Sequence, residues 1–268
     1  MRHSRITAYM ISLLLASGLA LTGAASAQAS QLAAPTGYVA LGDSYSSGVG
    51  AGGYIGSSGD CKRSTKAYPY LWAAAHSPSS FSFTACSGAL TGDVLANQLT
   101  PLGSSTGLVS ISVGGNDAGF ADVMETCVLE PESSCLARIN TAKAYVDSTL
   151  PGRLDTVYNA ISSRAPAAHV VVLGYPRFYQ LGQNCIGLSE TERSAINTAS
   201  DYLNGAIAKR AADHGFTFGD VRPAFTGHEI CSSSSWLHSL SLLNIGESYH
   251  PTAAGQSGGY LPTFTGAA

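Results

Sequence analysis

A serine follows directly on a short apolar run near the start of the chain. The stretch YVALGDSYSSG, residues 38–48, carries four strand-forming residues into Gly42, Asp43 and Ser44. Where a buried strand passes into a helix, free backbone N–H groups point outward and favour negative charge. Ser44 could act there as a nucleophile while its own N–H holds an oxyanion. Taken alone, the motif favours the simpler alternative that Asp43 or Ser44 only caps a helix.

Two further loops carry groups that could stabilise an oxyanion. Gly88 lies in TACSGALTGD, residues 84–93, where its backbone N–H could be a donor. Asn116 lies in SISVGGNDAGF, residues 110–120, where two glycines allow a close backbone approach and the amide could donate. Each loop by itself is equally well explained as an ordinary turn.

A histidine near the C-terminus completes the set. His250 stands in ESYHPTAAGQ, residues 247–256, before what the pattern predicts to be a final helix with Pro251 in its first turn. Held there, an imidazole could serve as the general base for a serine. The alternative is an ordinary exposed histidine. The other histidines beyond residue 29 lack such a context, namely His76, His169, His214, His228 and His238.

The elements that must position these residues alternate between strands and helices. Short apolar runs predict strands at residues 38–41, 81–83, 108–113, 170–173 and 216–221. Helical patterns cover residues 67–75, 136–150, a segment ending at 164, and a segment from 189 to 215 that opens with a Ser189–Glu192 capping box. This alternation predicts a parallel sheet with helices on both faces, and such sheets carry their sites at the carboxyl ends of the strands.

Composition and charge exclude several classes of function. Of the 268 residues, 45% are hydrophobic and 12% are charged, which suits a folded domain with a sizeable core. The formal net charge is -3, and the chain has no Lys/Arg cluster beyond its first residues. This charge pattern argues against nucleic-acid binding and against an electrostatic membrane anchor.

The N-terminus has the layout of a secretory signal peptide. Arg2, His3 and Arg5 precede an apolar run at residues 10–21, and ASAQA follows at residues 25–29. Cleavage after Ala27 or after Ala29 fits equally well. We therefore expect a signal peptide over residues 1–29, one domain over residues 30–268, and a secreted protein.

The cysteine content fits export. Six cysteines are an even set, and the chain has no Cys-x-x-Cys pair of the kind that zinc sites use. Of the many connectivities that six cysteines allow, the simplest joins neighbours in sequence. That pairing is Cys61 with Cys86, Cys127 with Cys135, and Cys185 with Cys231.

Taken together, the serine, glycine, asparagine and histidine loops resemble the SGNH hydrolases, also called the GDSL esterases and lipases. Ser44 in GDS matches the first block of that family, Gly88 the second, Asn116 in GGND the third, and His250 in HPTAAG the fifth. The likeness covers essentially the whole chain beyond residue 29, and it is strongest to the secreted lipases and esterases of the family. It implies a flavodoxin-like three-layer α/β/α sandwich.

The resemblance also implies roles for the residues. Ser44 would be the nucleophile and His250 the general base, and Ser44, Gly88 and Asn116 would form the oxyanion hole. The family usually has Asp three residues before the histidine, but this chain has Glu247. Some relatives use a backbone carbonyl instead, so we expect the carbonyl of Ser248, rather than Glu247, to orient His250. Asp117 is expected to shape its loop.

The function implied is that of a secreted lipase or esterase that cleaves acyl esters such as triacylglycerols. A phospholipase A, a polysaccharide acetylesterase and a catalytically silent binding protein are the alternatives. No cofactor or metal, no nucleic acid and no stable membrane anchor are expected, and the protein is expected to act as a monomer. Aromatic residues near the motifs could form an acyl groove or belong to the core, namely Tyr45, Phe120, Tyr175, Phe178 and Tyr179.

Overall fold

The central element of the fold is a five-stranded parallel sheet. The computed structural model describes residues 36–268, so the expected signal peptide lies outside the described residues. The strands are β1 (Gly37–Gly42), β2 (Phe81–Phe83), β3 (Thr106–Ser112), β4 (His169–Leu173) and β5 (Thr217–Gly219). Their order across the sheet is β2-β1-β3-β4-β5, and every neighbouring pair is parallel. The predicted α/β sheet is thereby confirmed, with the strand order of flavodoxin-like folds.

Helices cover both faces of this sheet. In chain order they are α1 (Ser44–Ser47), α2 (Tyr68–His76), α3 (Thr91–Asp93), α4 (Phe120–Leu129), α5 (Glu132–Ser148), α6 (Leu150–Arg164), α7 (Glu190–Asp213), α8 (Arg222–Phe225) and α9 (Leu261–Ala267). Helices α2 and α9 pack together in one layer, and α7 packs with α5 and α6 in the other. Short 3-10 or π turns occupy Gly56–Cys61, Val94–Gln98, Ile245–Glu247 and Gly255–Tyr260.

The three central strands are buried as their apolar sequences require, whereas the edge strands β2 and β5 are mostly half-buried. Every residue of β1 is buried, and β4 is buried from its second residue onward, because helices cover both faces of the sheet. Helix α7 begins where the capping box predicts: the Ser189 hydroxyl accepts the Glu192 N–H, and the Glu192 carboxylate accepts the Ser189 N–H. The core therefore fixes the carboxyl ends of β1 and β3 side by side.

Two helix predictions need correction, and one helix was not predicted. The helix predicted at residues 136–150 is α5, which begins earlier at Glu132 and ends at Ser148, and the helix predicted to end at residue 164 is α6, which already begins at Leu150. Helix α4 follows the Asn116 loop and was not predicted. The prediction of Pro251 in the first turn of a helix is wrong, because Pro251 pairs with Leu237 in an antiparallel bridge and the helical turn begins after Thr252.

The six cysteines pair as neighbours in sequence. Disulfides join Cys61 to Cys86, Cys127 to Cys135, and Cys185 to Cys231, and the described part of the chain contains no free cysteine. Among residues 36–268, no helix is both long enough and apolar enough to span a membrane.

Candidate active site

An abrupt turn at the end of β1 positions Ser44 in the site. Gly42 has a φ of +120°, and a Cβ at this position would lie 2.4 Å from the Ser112 carbonyl oxygen of β3. Only glycine fits that backbone. Asp43 then caps α1, accepting the Tyr45 N–H at 3.0 Å, so Ser44 becomes the first residue of the helix.

The Gly42 turn is held by Gln98, a residue that the sequence analysis did not single out. Its side-chain oxygen accepts the Gly42 N–H at 2.7 Å, and its amide donates to the Gly42 carbonyl at 2.9 Å. Gln98 lies 56 residues from its partner and is buried. No local sequence signal reports such a contact, because the pairing depends on the tertiary fold.

The structure brings Ser44 and His250 together. The Nε2 atom of His250 lies 2.7 Å from the Ser44 hydroxyl oxygen, although the two residues are 206 positions apart. The Nδ1 atom lies 3.0 Å from the Ser248 carbonyl oxygen. A carbonyl can only accept, so Nδ1 carries the proton and Nε2 of the neutral ring is left to accept the serine proton.

The backbone around His250 is held in an unusual conformation. Tyr249 has a φ of +66°, in the left-handed region that a residue with a side chain rarely adopts. Its N–H donates to the His238 carbonyl at 2.9 Å, and the His238 N–H donates to the His250 carbonyl at 2.9 Å. The His238 ring also bonds the Gly50 carbonyl at 2.8 Å. His238, for which the sequence offered no context, therefore fastens the histidine segment to the loop after α1.

Glu247 is turned away from the imidazole. Its carboxylate accepts the Tyr54 hydroxyl at 2.7 Å, and Tyr54 in turn accepts the Gly50 N–H at 2.9 Å. Only the backbone of Glu247 contacts His250, through a carbonyl that accepts the His250 N–H at 3.2 Å. The aspartate considered beside it, Asp117, accepts the N–H and the hydroxyl of Thr91 at 3.0 and 2.6 Å, so it braces the start of α3.

Three residues that line the cavity carry N–H donors with no acceptor within residues 36–268, or with one hydrogen still available. Ser44 and Gly88 each have a backbone N–H with no acceptor among the described residues, Ser44 because it begins a helix. Gly88 has a φ of +76° and open space where a Cβ would stand. Asn116 donates one amide hydrogen to the Ala89 carbonyl at 3.1 Å, which fixes the amide and leaves its second hydrogen available. All three residues line the same cavity.

Asp43 is an acid buried next to the serine. Its Oδ1 accepts the Ser112 hydroxyl at 2.7 Å, and its Oδ2 accepts the Tyr175 hydroxyl at 2.5 Å. Burial raises the pKa of Asp43 to about 6, although these hydrogen bonds act in the opposite direction. The carboxyl group therefore ties α1 to β3 and to the loop after β4.

Burial has the opposite effect on the imidazole. It lowers the pKa of His250 to about 4, with smaller contributions from nearby His238 and Lys62. The hydrogen bond to the Ser248 carbonyl favours the protonated ring but does not offset the loss of solvent. His250 is consequently neutral, the form required of a base, at any pH well above this value.

Ser44 lines a large apolar cavity of about 660 Å³. Helices α4, α5 and α7 supply nearly half of its lining residues, and the lining surface is mainly apolar. Of the five aromatic residues considered for an acyl groove, Tyr45, Phe120, Tyr175 and Phe178 line it, whereas Tyr179 is buried in the core outside it. No group of His, Cys, Asp and Glu side chains within residues 36–268 is arranged to hold a metal ion.

Comparisons with known proteins agree with this geometry. The model of the GDSL-like lipase/acylhydrolase family matches residues 40–257. The chain is 76% identical over 268 residues to Lipase 1 of Streptomyces coelicolor and 64% identical over 268 residues to a lipase of Streptomyces rimosus. Both alignments cover 100% of each chain.

Two solved structures share the fold closely. Phospholipase A1 from Streptomyces albidoflavus NA297 superposes with a TM-score of 0.86 at 67% identity, covering 88% of this chain and 100% of that one. The extracellular lipase from Streptomyces rimosus superposes with a TM-score of 0.85 at 67% identity, covering 87% and 100%.

Proposed function

Since the chain belongs to the GDSL-like lipase/acylhydrolase family and is an ester hydrolase, we propose that Ser44 and His250 cleave long-chain acyl esters of glycerolipids. One observation carries the proposal. The Ser44 hydroxyl lies 2.7 Å from a neutral imidazole nitrogen, and Ser44 lines a cavity of about 660 Å³ whose walls are mainly apolar. A cavity of that size suits an acyl chain far longer than acetate, which favours a lipase over a polysaccharide acetylesterase.

The proposed reaction proceeds in two steps. His250 Nε2 takes the Ser44 proton as the hydroxyl oxygen attacks the ester carbonyl carbon, and the resulting imidazolium then protonates the departing alcohol. Water attacks the acyl-enzyme with the same nitrogen as base, releasing the fatty acid and restoring the serine. In each tetrahedral intermediate the oxyanion is held by the Ser44 and Gly88 N–H groups and the Asn116 amide.

The imidazole would be oriented by a backbone carbonyl. The Ser248 oxygen, 3.0 Å from Nδ1, fixes the tautomer that leaves Nε2 free. The Glu247 carboxylate is engaged by Tyr54 instead. The site is therefore proposed to be a serine–histidine dyad whose histidine is positioned by the main chain.

The head group of the substrate would remain outside the cavity. One similar protein is named a phospholipase A1 and others are named lipases. Proteins that share this fold are therefore named for substrates with different head groups. We propose that this chain accepts both triacylglycerols and phosphatidylcholine, because the apolar cavity can select the acyl chain alone. Export is proposed from the three disulfides and from the similarity to an extracellular lipase.

A labelling experiment tests the nucleophile. A serine-directed alkyl phosphonate should label the protein once, on the peptide that contains Ser44, and Ser44→Ala should abolish both labelling and hydrolysis of p-nitrophenyl esters. Ser87→Ala is the matched control, because it removes another serine hydroxyl that lines the cavity. Labelling retained on a different serine in the Ser44→Ala protein would disprove the assignment.

A further inference from the structure

The mouth of the cavity is surrounded by aliphatic side chains that protrude into solvent. We define this surface, the aliphatic rim, by Leu129 at the end of α4 and by four residues of one loop, namely Leu240, Leu242, Leu243 and Ile245. Four of the five most exposed aliphatic side chains among residues 36–268 belong to it, and Leu242 and Leu243 are 85% and 95% exposed. Single exposed leucines are ordinary on a protein surface, but such a concentration marks an interaction site.

The rim is continuous with the wall of the cavity. Leu129, Leu240, Leu242 and Ile245 line the same space as Ser44 and His250, whereas Leu243 stands outside it. An acyl chain that reaches Ser44 through this mouth must therefore pass between exposed aliphatic groups. A second copy of this chain seated on the rim would block that entrance, which disfavours self-association as the reason for the patch.

The loop presents its leucines outward, and several of its backbone N–H groups are bonded within the loop. The Ser241 N–H donates to the Ser248 hydroxyl at 2.9 Å, and the Glu247 N–H donates to the Asn244 carbonyl at 2.9 Å. Residues 230–246 include no Asp, Glu, Lys or Arg. The loop part of the aliphatic rim is therefore exposed, apolar and uncharged, and such a surface can enter the acyl region of a lipid layer without desolvating a charge.

We propose that the aliphatic rim inserts into lipid surfaces, so that the enzyme takes its substrate directly from a membrane or an emulsion droplet. This inference rests on the proposed function, since it assumes that the acyl chain enters the cavity that opens within the rim. The contact is apolar and has no basic cluster to strengthen it, so binding should not require anionic lipid.

Vesicle binding tests the proposal without catalysis. The Ser44→Ala protein should co-sediment with phosphatidylcholine vesicles, and adding Leu243→Ser should weaken this binding about tenfold, the order expected for withdrawing one leucine from an apolar phase. Ile186→Ser, which removes a fully exposed aliphatic side chain that does not line the cavity, is the matched control and should change it less than about twofold.

Kinetics separate docking from chemistry. With Ser44 intact, Leu243→Ser should lower the rate on phosphatidylcholine vesicles about tenfold and leave kcat/KM for soluble p-nitrophenyl acetate unchanged. Equal vesicle affinity of the Leu243→Ser and Ile186→Ser proteins would overturn the proposal. So would a lipid-free dimer that Leu243→Ser converts to monomer, since a second copy would then cover the rim. Failure of the proposed function looks different: no ester is hydrolysed, yet the Ser44→Ala protein still binds vesicles through Leu243.

Discussion

Replacing Glu247 with alanine distinguishes a carbonyl-oriented histidine from a triad. The carboxylate accepts the Tyr54 hydroxyl at 2.7 Å, while the Ser248 carbonyl oxygen lies 3.0 Å from His250 Nδ1. The substitution removes the bond to Tyr54 and leaves the bond to Nδ1 in place. It therefore removes a carboxylate from the position where the family usually has its third catalytic residue, without disturbing the proposed orienting group.

The expected magnitude follows from which bond is lost. A typical intramolecular hydrogen bond contributes about 0.5–1.5 kcal/mol, and about 1.4 kcal/mol corresponds to a tenfold change in rate. Even if all of that energy held the histidine loop in place, kcat/KM would fall by no more than about tenfold. Replacement of a triad aspartate, by contrast, can lower kcat by about 10⁴ because the imidazole adopts the wrong tautomer.

The assay compares four proteins on one soluble p-nitrophenyl ester, with circular dichroism to verify folding. The proteins are the wild type, Glu247→Ala, Tyr54→Phe and His250→Ala. Tyr54→Phe breaks the same hydrogen bond as Glu247→Ala but keeps the carboxylate, so the two variants should have similar kcat/KM values. Both values should be far higher than that of His250→Ala. If Glu247→Ala loses nearly as much activity as His250→Ala while Tyr54→Phe remains active, the carboxylate orients the histidine and the dyad is wrong.

Three further predictions address the oxyanion hole, the base and the turn before the serine. Asn116→Ala should lower kcat by about 10²–10³ with little change in KM, as measured by steady-state kinetics, because its amide would act in the transition state. Burial lowers the pKa of His250 to about 4, and a protonated imidazole cannot accept a proton, so kcat/KM should persist at pH 5 and fall as the pH drops through that value. An acid limb at pH 6.5 or above would contradict this expectation. Gln98→Ala leaves the buried Gly42 N–H without a partner, whereas the Gly42 carbonyl still accepts the Cys86 N–H, so urea unfolding should show a loss of roughly 1–3 kcal/mol. A loss within about 0.5 kcal/mol would refute the proposal that Gln98 holds the Gly42 turn.

The sequence predicts well those features that local patterns encode. Five apolar runs give the five strands of the sheet, and the rule that parallel sheets carry sites at their carboxyl ends selects the loops of Ser44 and Asn116. The capping box of α7 is equally local, since both partners lie within four residues. The presence of α4 and the exact boundary between α5 and α6 depend on packing that a single sequence does not report.

Local sequence patterns do not predict contacts between residues that are distant in the chain. Gln98 meets Gly42 across 56 residues, and Tyr54 meets Glu247 across 193. Neither pair has a spacing that periodicity can detect. Pro251 shows the same limit: its fixed φ suits the first turn of a helix, yet pairing with Leu237 holds it in an extended bridge just before the helical turn.

The position of Glu247 is consistent with the low pKa of His250, which burial lowers. A carboxylate on Nδ1 would stabilise the imidazolium and raise the pKa of the ring, whereas the Ser248 carbonyl adds no full negative charge. Burial therefore dominates, and the imidazole is a weaker base that is almost always in its basic form. Because no ion pair within residues 36–268 holds the ring, its orientation must come from the backbone around it, including the left-handed turn at Tyr249.

Ser248 also joins that backbone to the aliphatic rim, since its hydroxyl accepts the Ser241 N–H at the start of the leucine loop. Substitutions that loosen this loop should consequently lower kcat on soluble esters, although they touch neither Ser44 nor the imidazole.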